Sequence, residues 1–243
     1  MKPRISCHHG DSSNQNNLVA ASRILREYPE IDIMEIDFVF YNNDIVSSHD
    51  YSAHNILHGS SLSEWIEMVV IKHKKILWID MKPDLSIGAF LWPSFKEEVA
   101  CLFSILRSFK RGIGNSLMIT SQDPSITEEI NNTPIDMKWP TATDIPYLSS
   151  YIWQYILSPG LQVWNDDSIY KYFATEYDFS PYSIVAIDKS FFAHDIDKVF
   201  RFISECNIGE GTTVILYNFK RGVPIIHSEY CNIVMQYDYS LLK

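Results

Sequence analysis

Glu35-Ile36-Asp37 sets two carboxylates two residues apart inside a run whose other members, Ile31, Ile33, Ile36, Phe38 and Phe40, are apolar. Residues two apart on a strand share a face, so Glu35 and Asp37 point one way and Ile36 and Phe38 the other. Two like charges about one side chain apart in a protein interior repel each other and lose hydration. A divalent cation relieves both costs, and an all-oxygen ligand set suits Mg²⁺ or Ca²⁺. Asp80, closing the apolar run Ile76-Leu77-Trp78-Ile79, offers a third carboxylate. Lys82 shares the strand face of Asp80. Its ammonium can offset charge building on a phosphate, or it can simply pair with Asp80. His8 and His49 each terminate a short predicted strand. An imidazole titrates near neutrality, so one could take a proton from an attacking hydroxyl while the other gives one to a leaving oxygen.

These groups lie in four segments: Cys7-His8-His9-Gly10, Glu35-Ile36-Asp37, His49-Asp50 and Asp80-Met81-Lys82. All four end or follow predicted strands. The early strands are Arg4–His9, Ile31–Phe40, Ile45–Ser48 and Lys75–Met81, with Asn42-Asn43-Asp44 as the turn between the second and third. Helical spacing covers Asn16–Tyr28, Leu62–His73 and Ser94–Lys110, and Ser61 with Glu64 forms a capping box. Further on, strands are expected at Leu117–Ser121, Asp136–Trp139, Ser183–Ile187, Thr212–Tyr217 and Asn232–Gln236, with an extended stretch at Leu161–Asn165. Helices are expected at Ser125–Asn131, Leu148–Leu157 and His194–Glu205. Strands alternating with helices imply parallel strands joined by crossover helices. About eight of them in one domain, residues 1–243, favour a closed (β/α)₈ TIM barrel, with an open doubly wound sheet as the alternative. In such a barrel the C-terminal ends of the strands carry the catalytic groups, which is where these four segments fall.

The chain has 243 residues and a formal charge of −10. That balance argues against a broad electrostatic grip on nucleic acid, and an anionic substrate would need locally supplied positive charge. No uninterrupted apolar run is long enough for a membrane span, and Met1–Cys7 has no apolar leader core. The four cysteines, Cys7, Cys101, Cys206 and Cys231, are scattered, which predicts a reduced, cytoplasmic setting. His54, His58, His73, His194 and His227 receive no role. Trp139, Trp153 and Trp164, with Tyr147 and Tyr151, are expected to pack in the core and rim, and Phe219-Lys220-Arg221-Gly222 to be a solvated basic loop.

The order and spacing of the motifs resemble the glycerophosphodiester phosphodiesterase family, within the phospholipase-C-like barrel phosphodiesterases. That family reads His-Arg-Gly, Glu-Asn-Thr, Glu-x-Asp, His-Asp and Glu-x-Lys. This chain reads His8-His9-Gly10, Gln15-Asn16-Asn17, Glu35-Ile36-Asp37, His49-Asp50 and Asp80-Met81-Lys82. The resemblance runs from Arg4 to about Pro83. It implies a TIM barrel that splits a small-molecule glycerophosphodiester into an alcohol and glycerol phosphate. By that resemblance His8 and His49 match the acid/base pair, Glu35, Asp37 and Asp80 the ligands of a divalent cation, and Lys82 the phosphate-contacting lysine. The chain departs from the pattern at His9, which stands where the family has arginine and cannot make its forked phosphate contact. Gln15 and Asp80 each replace a glutamate, and Leu216 and Tyr217 stand near the place of a late tryptophan. Asp-x-Lys is similar to the sphingomyelinase D-type phospholipases, so a lysophospholipid substrate is the alternative reading. A barrel that binds metal or phosphate without turnover is another.

Overall fold

The computed structural model describes residues 4–8, 18–49, 56, 58–82, 95–109, 113, 116–121, 184–188, 213–219 and 232–238. Within them lie eight strands: β1 Arg4–His8, β2 Ile33–Tyr41, β3 Asp44–Ser47, β4 Ile76–Met81, β5 Leu117–Ser121, β6 Ile184–Asp188, β7 Thr213–Phe219 and β8 Asn232–Asp238. Helix α1 spans Leu18–Glu27, α2 spans Leu62–Trp65 and α3 spans Phe95–Ser108.

The strands form one sheet in the order β5-β4-β2-β1-β8-β7-β6, every neighbouring pair on that path being parallel. The fold is therefore mixed α/β with a parallel sheet, the arrangement that strand–helix alternation predicts. The first and last described strands, β1 and β8, are hydrogen-bonded to each other. The expected elements at 125–131, 136–139, 148–157, 161–165 and 194–205 lie outside the described residues.

β2 is buried on both faces from Ile33 to Val39, as a central parallel strand must be. β3 leaves this scheme and pairs antiparallel with the outer half of β2. The hairpin turns on Asn42 and Asn43, both left-handed with φ of 51° and 59°. Two consecutive left-handed residues make the turn whose twist suits a two-residue hairpin, and asparagine tolerates that conformation better than most side chains.

Ser61 caps α2 through the predicted box: its Oγ accepts from the Glu64 backbone, while the Glu64 carboxylate accepts from the Ser61 N–H at 2.9 Å. One continuous helix is expected from Leu62 to His73. Instead α2 opens after one turn into a π-helical stretch, Ile66–Lys72. Its wider winding keeps three consecutive residues, Met68, Val69 and Val70, buried, and it packs against β4 and α1. Lys74, left-handed at φ 57°, ends it and turns the chain into β4. Ala21, Ile24, Leu25, Trp65, Ile66, Leu102 and Leu106 are buried helix residues of the core, with Met34, Ile36, Phe38 and Ile79 from the strands.

Candidate active site

The register of β2 on β4 brings the acidic residues together. Asp37 pairs with Asp80 and Glu35 with Trp78, so Glu35, Asp37, Trp78 and Asp80 stand on the sheet face opposite Ile36 and Ile79. One carboxylate oxygen from each of Glu35, Asp37 and Asp80 lies within 4.8 Å of the others. All three residues are buried, with exposures of 3%, 1% and 5%. The three carboxylates inferred from spacing alone do converge.

Lys82 follows β4 by one residue. Its backbone N–H donates to the Phe38 carbonyl at 2.8 Å, which continues the β2–β4 ladder past Met81. Its Nζ lies 2.9 Å from Asp37 Oδ1 and also pairs with Asp80 Oδ2. The pairing with Asp80 that the sequence offered as the alternative to a phosphate contact is present, and Asp37 joins it.

Burial pushes the Glu35 carboxyl well above its ordinary range, and the charges of Asp37 and Asp80 push the same way, against the pull of Lys82. A side-chain hydrogen bond to Asp37 also favours protonated Glu35. Burial alone would lower Lys82, but the surrounding carboxylates of Asp37, Asp80 and Glu35 outweigh it and hold the ammonium firmly charged. The donor set therefore fits a divalent cation: three buried oxygen ligands, on two adjacent strands, with more negative charge than one lysine neutralises.

The two histidines are held by backbone geometry. His8 is the last residue of β1, the register partner of Glu35 on one side and of Asp238 on the other. Ser48, buried, donates its N–H to the Asp37 carbonyl at 3.0 Å, and exposed His49 follows at once in a bend. Both therefore leave the sheet within one or two residues of the acidic cluster along the ladder. His9, Gly10, Gln15 and Asp50 lie outside the described residues.

Two features of the site were not foreseen from the sequence. Trp78, read as part of an apolar strand body, stands beside Glu35 on the site face and is 4% exposed. Its spacing of two from Asp80 and four from Lys82 carried that information. The second is a strap, residues 59–61, that runs against β3. Ser47 N–H donates to the Ser60 carbonyl at 2.8 Å, Ser60 N–H donates to Ser47 Oγ at 2.9 Å, and Val46 bridges Ser61. Gly59 approaches the Ser47 carbonyl so closely that a Cβ there would overlap its oxygen.

No protein-family model matches the sequence, and no curated protein matches it. Solved structures do. One is a protein from Silicibacter pomeroyi DSS-3 assigned to the glycerophosphoryl diester phosphodiesterases. The match covers 96% of this chain and 89% of that one, with a TM-score of 0.53 and 11% identity. Another is the glycerophosphodiester phosphodiesterase of Agrobacterium tumefaciens strain C58, covering 96% of this chain and 94% of that one, with a TM-score of 0.48 and 10% identity. The likeness to the first is one of fold.

Proposed function

We propose that the chain is a phosphoric diester hydrolase that cleaves small glycerophosphodiesters to an alcohol and glycerol phosphate with a divalent cation. The observation that carries this reading is the convergence of Glu35, Asp37 and Asp80, buried, within 4.8 Å of one another on the adjacent parallel strands β2 and β4. In this reading residues 1–243 form one domain and the sheet closes as a (β/α)₈ barrel. The pairing of β1 with β8 and the fold likeness to the Silicibacter protein support closure. The scattered spacing of the four cysteines supports a reducing, cytoplasmic setting. Among the described residues no helix is long and apolar enough to cross a membrane.

Glu35, Asp37 and Asp80 would hold the cation, Mg²⁺ or Ca²⁺, which would supply Lewis-acid polarisation of the phosphoryl group. Lys82 adds positive charge where the phosphoryl oxygens gain negative charge, and does so in a site screened from water, where it counts most. His8 and His49 divide the proton transfers. One takes the proton of the nucleophile, water or a neighbouring substrate hydroxyl, as it attacks phosphorus. The other gives a proton to the departing alcohol oxygen, so no alkoxide has to leave. Trp78, buried in register with Glu35, adds apolar bulk beside the carboxylates.

The test is release of glycerol phosphate from glycerophosphocholine, with lysophosphatidylcholine as the comparison substrate. Chelation should stop turnover, and Mg²⁺ or Ca²⁺ should restore it. His8→Ala and His49→Ala should each lose about 10²–10⁴-fold in kcat, the usual worth of a positioned acid or base. Near-full activity in either variant, or indifference to chelation, would sink the assignment. Metal binding without turnover on any diester would leave a binding barrel in its place.

A further inference from the structure

Lys82 stands on two of the three carboxylates that a metal needs. Its Nζ lies 2.9 Å from Asp37 Oδ1 and pairs with Asp80 Oδ2, and these two carboxylates supply two of the three ligand positions. Its side chain is only 15% exposed, so this is an enclosed ion pair and not a surface contact. A dication drawn to Glu35, Asp37 and Asp80 enters a space of a few ångströms that already holds a full positive charge. Two cations on the same pair of carboxylates repel each other strongly at close range in an interior of low dielectric. Lysine is suited to yielding, because its compact ammonium rides on four methylenes with rotatable donors, whereas an arginine fork would be locked in place. Its main chain stays anchored through the N–H donated to Phe38, so the side chain can move without disturbing the ladder.

We infer that Lys82 is an exchangeable internal counter-ion: it neutralises Asp37 and Asp80 when the site is metal-free and is displaced from them when a divalent cation binds. This rests on the metal reading proposed above. The exchange has two effects. Metal affinity is set below what three open carboxylates would give, and the metal-free protein never holds its buried acids without a partner charge.

The experiment is calorimetric titration of chelator-treated protein with MgCl₂, CaCl₂ and MnCl₂ at one pH and ionic strength. Lys82→Met should bind the cation about tenfold more tightly than wild type, the size of an ordinary coupling between two binding events. Its metal-free melting temperature should fall, and saturating metal should remove most of the deficit. Equal or weaker affinity in a folded Lys82→Met protein would overturn the exchange and leave the metal site standing. Absence of any cation binding by wild type would overturn the metal reading, and the exchange with it. Should Lys82→Met fail to fold, wild type supplies the second measurement. Acetylation of Lys82, read by mass spectrometry against exposed Lys74, should rise several-fold when metal is added, because the ammonium loses its two shielding carboxylates. Unchanged or reduced acetylation would overturn the exchange.

Discussion

Charged residues flank both ends of β2 and β4, but the two ends handle them differently. At the N-terminal end Asp32, His73, Lys74 and Lys75 are partly or fully solvated and each attends to local structure. Asp32 Oδ2 accepts from the Ile5 N–H at 3.4 Å, Lys75 Nζ donates to the Pro29 carbonyl at 2.8 Å, and His73 Nε2 hydrogen-bonds Ser22 Oγ at 2.9 Å. Toward the C-terminal end of the parallel ladder between these strands, Asp37 and Asp80, with Glu35 two residues before Asp37, are buried together around Lys82. Solvated charges that tie loops to strands stabilise modestly and ask for no ligand. Three carboxylates buried side by side cost folding energy, and such clusters concentrate at functional sites. In parallel barrels generally, stability is served at the N-terminal ends of the strands and reaction at the C-terminal ends, and the proposed site follows that division.

The largest effect should come from exchanging an acid at each end. Asp37→Asn keeps the shape but removes a charge shared by Lys82 and the proposed cation. Its turnover of glycerophosphocholine should fall by roughly a thousandfold, with metal affinity weakened in calorimetry. Asp32→Asn should stay within about twofold of wild type in turnover, as surface changes do. Comparable losses in the two variants would erase the distinction between the ends.

Next comes pH, where the two ends should respond with opposite sign. Glu35 is held well above its ordinary value of 4.5, chiefly by burial. The folded state then binds the extra proton, so this stability is complete below 4.5 and drains away as pH rises through the folded value. His73 is shifted below its ordinary 6.5, by partial burial and then by Lys72, Arg26 and Lys75. Here the unfolded state binds the extra proton, so stability is complete above 6.5 and is lost as pH falls through the folded value. Melting of chelator-treated protein across pH should show both trends. Glu35→Gln should remove the alkaline decline and leave the acid one, and His73→Gln the reverse. A single variant that flattens both limbs would show that the ends are not independent.

Much of this division was legible in the residues. The two-residue spacing of Glu35 and Asp37, and of Asp80 and Lys82, fixed which face each would take once the segments became strands. The turn at Asn42-Asn43 and the box at Ser61 and Glu64 were legible because their signals are local. Features that depend on tertiary packing were hidden. Nothing in Ile66–Lys72 announces a π-helical winding, since its apolar residues also satisfy ordinary helical spacing. Nothing around Gly59 says that Ser47 will press against it. The pairing of Lys82 with Asp37 depends on the β2–β4 register, which a single strand's sequence does not contain.

Gly59 tests whether the site end is also held by backbone. A Cβ there would overlap the Ser47 carbonyl oxygen and stand 3.2 Å from its carbon and 3.3 Å from the Ile56 oxygen. The strap must shift away from β3, just upstream of His49. Gly59→Ala should cost about 1–3 kcal/mol in chemical denaturation, the usual range for overpacking. It should also lower kcat beyond what the lost stability explains. Ser61→Ala, two residues along, removes only the cap and should cost about 1 kcal/mol with kcat unchanged. Equal kcat in the two variants would mean that the strap supports the fold and not His49.

The smallest effect belongs to the other end. Lys74 is left-handed at φ 57°, where a side chain with a Cβ is strained and glycine is not. It follows the C-terminus of the π-helical stretch, where chains commonly place glycine for this reason. Its side chain is exposed, so little contact is lost on replacing it. Lys74→Gly should therefore raise stability by about 1 kcal/mol in denaturant titration, somewhat less if the added freedom of the unfolded chain offsets it. Turnover and metal affinity should not move. A gain in stability accompanied by a loss of activity would mean that strain at the base of β4 is transmitted along the strand to Asp80, and that the two ends form one mechanical unit.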